Sequence, residues 1–98
     1  MKKRLCIYVH SSADIVAIVK WFIRKHELSA GNKLINFSGH AHCFTLNEIM
    51  AGKFPIIYTK KAMLIVDDMR KRLSVTGREY SDSSYDVITF RDWEDLFN

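Results

Sequence analysis

The sequence predicts a single α+β domain spanning residues 1–98, and three observations predict it. Apolar residues alternate with other types between Leu5 and His10, which is the period of a strand, and then recur at helical spacing between Ile15 and Ile23. Beyond these residues, further strand-like and helix-like segments follow one another. The length of 98 residues allows two packed layers around one core but leaves no room for a second domain.

Two serines join the first strand to the first helix. Alternate residues from Leu5 to Val9 form an aliphatic strand face. The helix has an apolar stripe on one side and charged residues on the other, and Ser11 or Ser12 is placed to cap its start. The apolar stripe consists of Ile15, Ile18, Val19, Phe22 and Ile23. A glycine or asparagine within residues 28–32 is expected to supply the left-handed residue that ends such helices.

The middle of the chain is predicted to contain two strands and a second helix. Residues 33–38 and 54–59 have the apolar character of strands, and residues 47–53 have room for one helical turn between them. Residues 60–73 are predicted as a helix because their apolar residues recur at i, i+3, i+4, i+7 and i+11. These apolar positions are Ala62, Ile65, Val66, Met69 and Leu73.

The end of the chain completes the predicted order of elements. Residues 86–90 are predicted as a final strand, and residues 92–97 as a short helix whose Trp93, Leu96 and Phe97 close over the core. The order is therefore strand, helix, strand, strand, helix, strand. It predicts a ferredoxin-like two-layer sandwich (βαββαβ) with a four-stranded antiparallel sheet and a short C-terminal helix.

Charge is distributed unevenly along the chain. Residues 1–80 contain 14 Lys and Arg against 6 Asp and Glu, whereas residues 81–98 contain one Arg against 5 acidic residues. A basic body with an acidic tail has two interpretations: the body binds a polyanion, or the tail packs on the body and neutralises it. Both interpretations stay open at this point.

Cysteine usage and the first residues of the chain bear on localisation. Cys6 and Cys43 lie in or beside apolar runs without paired spacing, which predicts reduced thiols and a cytoplasmic protein. The basic start is followed by an apolar run that stops at His10, so the segment does not have the pattern of a signal peptide. The longest apolar run is too short to cross a bilayer, and no membrane partner is expected.

Histidines and serines are expected to gather at one end of the predicted sheet. In the ferredoxin-like arrangement strands one and two run parallel, so the residues that follow them emerge at the same end, beside the start of the first helix. Imidazoles, hydroxyls and free helix amides together predict an anion or phosphate site. Its residues are His10, Ser11, Ser12, His40 and His42. Loop histidines that are simply solvated, and a zinc site that includes Cys43, are the alternatives; no cofactor and no metal is predicted.

A pair of short motifs points to a different activity. The triplet His40–Ala41–His42 with the downstream run Tyr58–Thr59–Lys60–Lys61 resembles the HUH-type replication and transposition nucleases. This resemblance implies a ferredoxin-like domain, a divalent metal on the paired histidines and a tyrosine that attacks the DNA backbone. Ala41 stands where that family has a bulky apolar residue, and Tyr58 falls on a predicted strand instead of a helix.

Surface aromatic and basic residues suggest contact with a macromolecule. Tyr8 and Tyr58 are expected on neighbouring central strands, where their rings share the open sheet face. Trp21 lies outside the main stripe of the first helix, so it is expected either to contact a partner or to overlap the edge of the core. Arg70 and Lys71 add positive charge at the end of the predicted second helix.

These features together predict a small non-catalytic binding or regulatory protein that acts through contact with a protein or nucleic-acid partner and associates with itself. Its partner-binding residues are Tyr8, Trp21, Tyr58, Arg70 and Lys71. The alternative is a ligand- or metal-dependent enzyme, nuclease-like in chemistry, at the histidine-rich end of the sheet.

Overall fold

A computed structural model describes residues 4–53, 62–77 and 84–97 of the chain. Nine elements lie within these ranges. They are β1 (Arg4–Val9), α1 (Ser12–His26), β2 (Ile35–Phe37), β3 (Cys43–Phe44), α2 (Leu46–Met50), β4 (Ala62–Asp67), β5 (Arg72–Thr76), β6 (Tyr85–Ile88) and α3 (Phe90–Phe97). The predicted strand at residues 54–59 lies outside the described residues.

The described strands form one six-stranded mixed sheet in the order β3-β2-β5-β4-β1-β6. β1 pairs antiparallel with β4 and parallel with β6, while β5 pairs antiparallel with β4 and parallel with β2. β3 closes the other edge, antiparallel to β2. The predicted ferredoxin-like sandwich with a four-stranded antiparallel sheet is therefore wrong, and so is the domain architecture that the nuclease resemblance implied.

The error arises at residues 60–73, which were predicted to form a helix. Residues 62–67 and 72–76 instead form the antiparallel hairpin of β4 and β5. Met69, which completes the helical spacing, lies in the turn and is 96% exposed. Short apolar runs fit both periods, and here β-branched Ile65 and Val66 pair well in the middle of a sheet.

The first helix forms where the sequence predicts it, with one difference at its end. Ser11 has an extended backbone and its hydroxyl accepts a hydrogen bond from the Asp14 amide, so Ser11 is the N-cap. The left-handed C-terminal residue is Glu27, with φ of 54°, and the Leu28 amide donates to the Ile23 carbonyl. Neither Gly31 nor Asn32 is therefore the residue that ends this helix.

A capping box fixes the short second helix. The Thr45 hydroxyl accepts from the Glu48 amide, and the Glu48 carboxylate accepts from the Thr45 amide. Leu46 and Ile49 are buried and join α2 to the core that α1 covers. The helical turn expected within residues 47–53 is thus present, one residue earlier than predicted.

All three described helices pack on the same face of the sheet. Alternate strand residues, such as Ile7, Leu64 and Val75, meet buried side chains of α1 and α2 in one core. Trp93 of α3 is fully buried in this core, and its ring contacts that of Trp21 at 5.8 Å between centroids. The intervening strand residues point to the other face, which we call the second sheet face.

Candidate nucleic-acid interface

The second sheet face carries a groove of about 620 Å³ that crosses the strands. We call it the arginine groove; its lining includes Arg4, Asn36, Asp67, Arg70, Arg72, Ser74, Thr76 and Tyr85. It extends from Cys43 on β3 to Tyr85 on β6, which is about 24 Å at the usual spacing between strands. This length exceeds what a single phosphate group occupies.

Three arginines from three different places in the chain converge on the arginine groove. Arg4 begins β1, Arg72 begins β5, and Arg70 lies in the turn between β4 and β5. Asp67 is the carboxylate among the described lining residues, so these residues carry a surplus of positive charge. Long-range pairing of the strands, not closeness in sequence, brings Arg4 to the other two.

Asp67 contacts two of these arginines without neutralising them. Its carboxylate lies 3.7 Å from Arg4 Nη2 and 4.0 Å from Arg70 Nε, which are long distances for ion pairs. The Arg70 side chain is 77% exposed and that of Arg4 is 49% exposed. Exposed pairs of this kind are worth little, so both guanidinium groups remain available to an external anion.

The local sequence of the hairpin turn sets these positions. The Arg70 amide donates to Asp67 Oδ1 at 3.1 Å, and Lys71 has a left-handed backbone with φ of 53°. Arg72 then pairs directly with Asp67 across the hairpin, so their side chains share one face. The turn therefore places Arg70 beside the Asp67 carboxylate and Arg72 opposite Asp67 on the same sheet face.

Arg72 is held more firmly than the other two arginines. Its Nη1 donates to the Lys33 carbonyl oxygen and lies 3.6 Å from Cys43 Sγ. These contacts tie the start of β5 to the segment before β2 and to β3. Part of the guanidinium is thus structural, and its charge stays at the floor of the groove.

Neutral hydrogen-bonding side chains line the groove beyond the arginines. Asn36 and Ser74 stand opposite each other in the β2–β5 ladder, and Asn36 Nδ2 donates to the His40 carbonyl at 2.9 Å. Tyr85 pairs with Arg4 in the β1–β6 ladder and is half-buried at the far end. Positive, polar and aromatic groups therefore follow one another along a single channel.

The thiol beneath this face is unsuited to chemistry. Cys6 is fully buried, and burial raises its pKa to about 11, although nearby Arg4 acts in the opposite direction. A thiol with so high a pKa is almost entirely protonated at neutral pH and is a poor nucleophile. The Cys6 thiol is therefore not activated for nucleophilic chemistry.

The predicted histidine-rich site is not assembled. β1 and β2 point in the same direction, so His10 and His40 lie at the same edge of the sheet. However, β4 and β5 stand between them, which separates the two strands by about 14 Å. No group of three or more His, Cys, Asp or Glu side chains within residues 4–53, 62–77 and 84–97 is arranged to hold a metal ion.

Four of the five predicted anion-site residues, His10, Ser11, Ser12 and His42, lie at the start of α1 or beside α2 and make local contacts there. The His10 amide donates to the Asp14 carboxylate at 2.8 Å, Ser11 caps α1, and Ser12 is the first residue of that helix. The ring of His42 lies 2.9 Å from Glu48 Oε2 and stacks edge-on against Phe44. The hydrogen bond from His42, and then that from the Thr45 amide, lowers the pKa of Glu48.

The predicted partner-binding residues fall in different places. Arg70 lines the arginine groove and Lys71 is exposed beside it, while Tyr8 is half-buried on the second sheet face. Trp21 is half-buried within the chain, where its ring contacts those of Trp93 and Phe97. Tyr58 lies outside the described residues.

Sequence reasoning missed most of the groove. It did not single out Arg72, Asn36 or Ser74, because residues 60–73 were assigned to a helix and the strand facing them was unknown. One signal was present: Ser74 alternates with apolar Leu73 and Val75, as a polar residue does on a half-exposed strand.

No protein-family model, curated protein or solved structure matches this chain. Among the helices that the structure describes, none is both long enough and apolar enough to cross a bilayer. The chemistry of the arginine groove is therefore the strongest basis for a functional proposal.

Proposed function

We propose that this protein is a non-catalytic nucleic-acid-binding protein and that the arginine groove holds a single-stranded segment. The observation that carries the proposal is the convergence of Arg4, Arg70 and Arg72 in one channel that crosses the sheet, the first two of them beside the Asp67 carboxylate. Planar guanidinium groups bind phosphate oxygens in a fixed two-pronged geometry, which makes arginine well suited to a phosphate backbone.

The overall charge supports a polyanionic ligand. The chain has a net charge of +4 in spite of its acidic end, and the arginine groove contributes local positive charge on one face. Charge of this sign attracts nucleic acid from a distance and supplies most of its non-specific binding energy.

The remaining lining favours a single strand over a small anion or a duplex. The Asn36 side-chain oxygen and the Ser74 hydroxyl can hydrogen-bond base edges or sugars, and Tyr85 places an aromatic residue at the end of the channel. Unpaired bases present both their edges and their faces to such groups, whereas the bases of a duplex are stacked on one another. A groove on a sheet surface also admits an extended backbone.

The test is the salt dependence of binding, measured by fluorescence anisotropy with a labelled single-stranded oligonucleotide. Affinity is expected to fall linearly on a log–log scale, with a slope of about −0.7 for each phosphate that the protein neutralises. Arg70→Glu is expected to weaken binding about tenfold and to reduce the slope, because it removes a phosphate contact and adds repulsion.

Arg91→Glu is the matched control, since it makes the same charge change on α3, which packs on the other face of the sheet. It is expected to change affinity much less than Arg70→Glu. Equal losses in the two variants, or no binding at low salt, contradict the proposal. If the chain instead binds another protein, with an affinity that does not change with salt concentration, the groove is a protein-binding surface.

A further inference from the structure

A second groove, of about 710 Å³, lies between α1 and α2, on the side of these helices that faces away from the sheet. Its lining includes Val16, Ala17, Lys20, Arg24, Ile49 and Met50. Met50 is 59% exposed there, which is a large exposure for a methionine on a short helix. We call this feature the helical groove; it combines an apolar floor with two basic side chains one turn apart.

The third helix has the complementary composition. Arg91 is outnumbered on α3 by three carboxylates, Asp92, Glu94 and Asp95, all of them exposed. Leu96 is 68% exposed and Phe97 is 46% exposed. Buried Trp93 anchors the helix on Trp21, and Phe97 contacts the same ring while it stays partly exposed, so the exposed residues of α3 are held on a firm support.

Within one molecule α3 does not fill the helical groove. α3 packs on Trp21 of α1, whereas the described lining of the groove comes from other residues of α1 and from α2, including Val16, Lys20 and Met50. With α3 held on Trp21, contact with the groove is made by a second molecule.

We propose that α3 of one copy of this chain docks in the helical groove of a second copy. Docking places Leu96 and Phe97 against Met50, Val16 and Ala17, and brings Glu94 and Asp95 to Lys20 and Arg24. Five large apolar side chains are exposed in the described residues, and this contact covers three of them: Met50, Leu96 and Phe97. Opposite charge at the rim then sets the register of the contact.

Two charge-reversal variants test the docking by sedimentation equilibrium. Lys20→Glu with Arg24→Glu disables the helical groove, and Glu94→Lys with Asp95→Lys disables the helix. The wild-type protein is expected to exceed its monomer mass of 11.4 kDa as concentration rises, and each double variant alone is expected to stay at that mass. All four positions are exposed, so circular dichroism of each variant is expected to match the wild type.

The decisive sample is an equimolar mixture of the two variants. The intact groove of one variant meets the intact helix of the other, and the two reversed surfaces are again opposite in charge, so the mixture is expected to regain association above the monomer mass. A wild-type protein that stays monomeric up to about 1 mM overturns the proposal. So does association that survives in either variant alone, or a mixture that does not pair.

The inference is independent of nucleic-acid binding, because the helical groove and the arginine groove lie on opposite sides of the molecule. Nuclease-treated protein is used throughout, so a bridging nucleic acid cannot produce the mass increase. Arg70→Glu serves as the control: it is expected to associate like the wild type while losing affinity for the oligonucleotide.

Discussion

Arg72 combines two roles in a single side chain. Its guanidinium donates to the Lys33 carbonyl and lies beside Cys43 Sγ, while its charge faces the arginine groove. Arg70 is different, because its side chain is 77% exposed and its one described charge contact is long. Both arginines line the groove, but among the described contacts only the Arg72 guanidinium donates to a main-chain carbonyl.

Arg72→Ala is expected to lower the free energy of unfolding by about 1 kcal/mol, because it removes a hydrogen bond that ties β5 to the segment before β2. The same variant is expected to weaken oligonucleotide binding. Arg70→Ala is expected to weaken binding alone. Urea denaturation and anisotropy measure the two quantities, and equal stability in both variants contradicts the structural role of Arg72.

Asp68 connects the hairpin turn to the end of α1. Its carboxylate lies 2.8 Å from His26 Nε2 and 3.1 Å from Lys25 Nζ. Burial by itself raises the pKa of Asp68, but the hydrogen bonds from His26 and Lys25 outweigh burial and leave the pKa below its usual value. A carboxyl whose pKa is depressed by folding stabilises the folded state only while it is ionised.

The stabilisation by Asp68 is therefore expected to be present above about pH 4, the ordinary pKa of an unfolded aspartate, and to be lost as the pH falls through the lower folded value. Asp68→Asn removes this contribution. The difference in unfolding free energy between wild type and Asp68→Asn is expected to shrink on acidification, measured by urea denaturation across pH. A difference that stays constant with pH contradicts the linkage.

At the scale of elements, the hairpin of β4 and β5 is the most consequential unit. Its strand β4 pairs with β1 and its strand β5 pairs with β2, so the hairpin joins the two sides of the sheet. The turn of the hairpin carries Arg70. The turn depends on Lys71, whose backbone is left-handed with φ of 53°. The backbone conformation of Lys71 therefore distinguishes the observed hairpin from the helix that the apolar periodicity predicts.

The variants Lys71→Gly and Lys71→Val distinguish the hairpin from a helix, because the more stable of the two variants differs between these structures. In the hairpin, valine is expected to be less stable than glycine by about 1 kcal/mol, because a β-branched residue is strained in the left-handed region. In a helix the order reverses, since glycine has the lower helix propensity. Thermal or urea unfolding of the two variants measures the order, and a more stable valine variant contradicts the hairpin.

The third helix closes the core mainly through one residue, and not equally through the three residues that the sequence predicts. Trp93 is fully buried, as the sequence predicts, whereas Leu96 is mostly exposed and Phe97 is partly exposed, with its ring against Trp21 at the edge of the core. The Trp21 ring packs beside Trp93, so the aromatic surface of α1 at Trp21 is covered largely by residues of the same chain. The apolar surface left over on α3 is what the proposed self-association would cover.

At the scale of the whole molecule, the acidic end and the basic body remain distinct. The ion pairs of the described residues join the body to itself, through Asp67, Asp68 and Glu48, and none of them uses a carboxylate of α3. Among the described residues, the carboxylates of α3 therefore do not neutralise the basic body through ion pairs. The acidic helix is left available to a positive surface on another molecule.

Local patterns were sufficient for several elements. Period-two alternation located β1, the apolar stripe and the Ser11 cap located α1, and short apolar runs near the end located β6 and α3. In each case the signal lies within a few residues and does not depend on distant partners. The candidate binding site was found only in part, through Arg70 and the neighbouring Lys71.

The sequence by itself determined the mixture of strands and helices, a strand leading into a capped amphipathic helix, and an uneven distribution of charge. Tertiary structure alone decided that residues 62–76 form a hairpin, that its strands lie between β1 and β2, and that Arg4 meets Arg70 and Arg72. The physical reason is that a short apolar run satisfies both helical and strand periods, and only pairing with distant strands selects between them. That same pairing kept His10 and His40 apart and assembled the arginine groove instead.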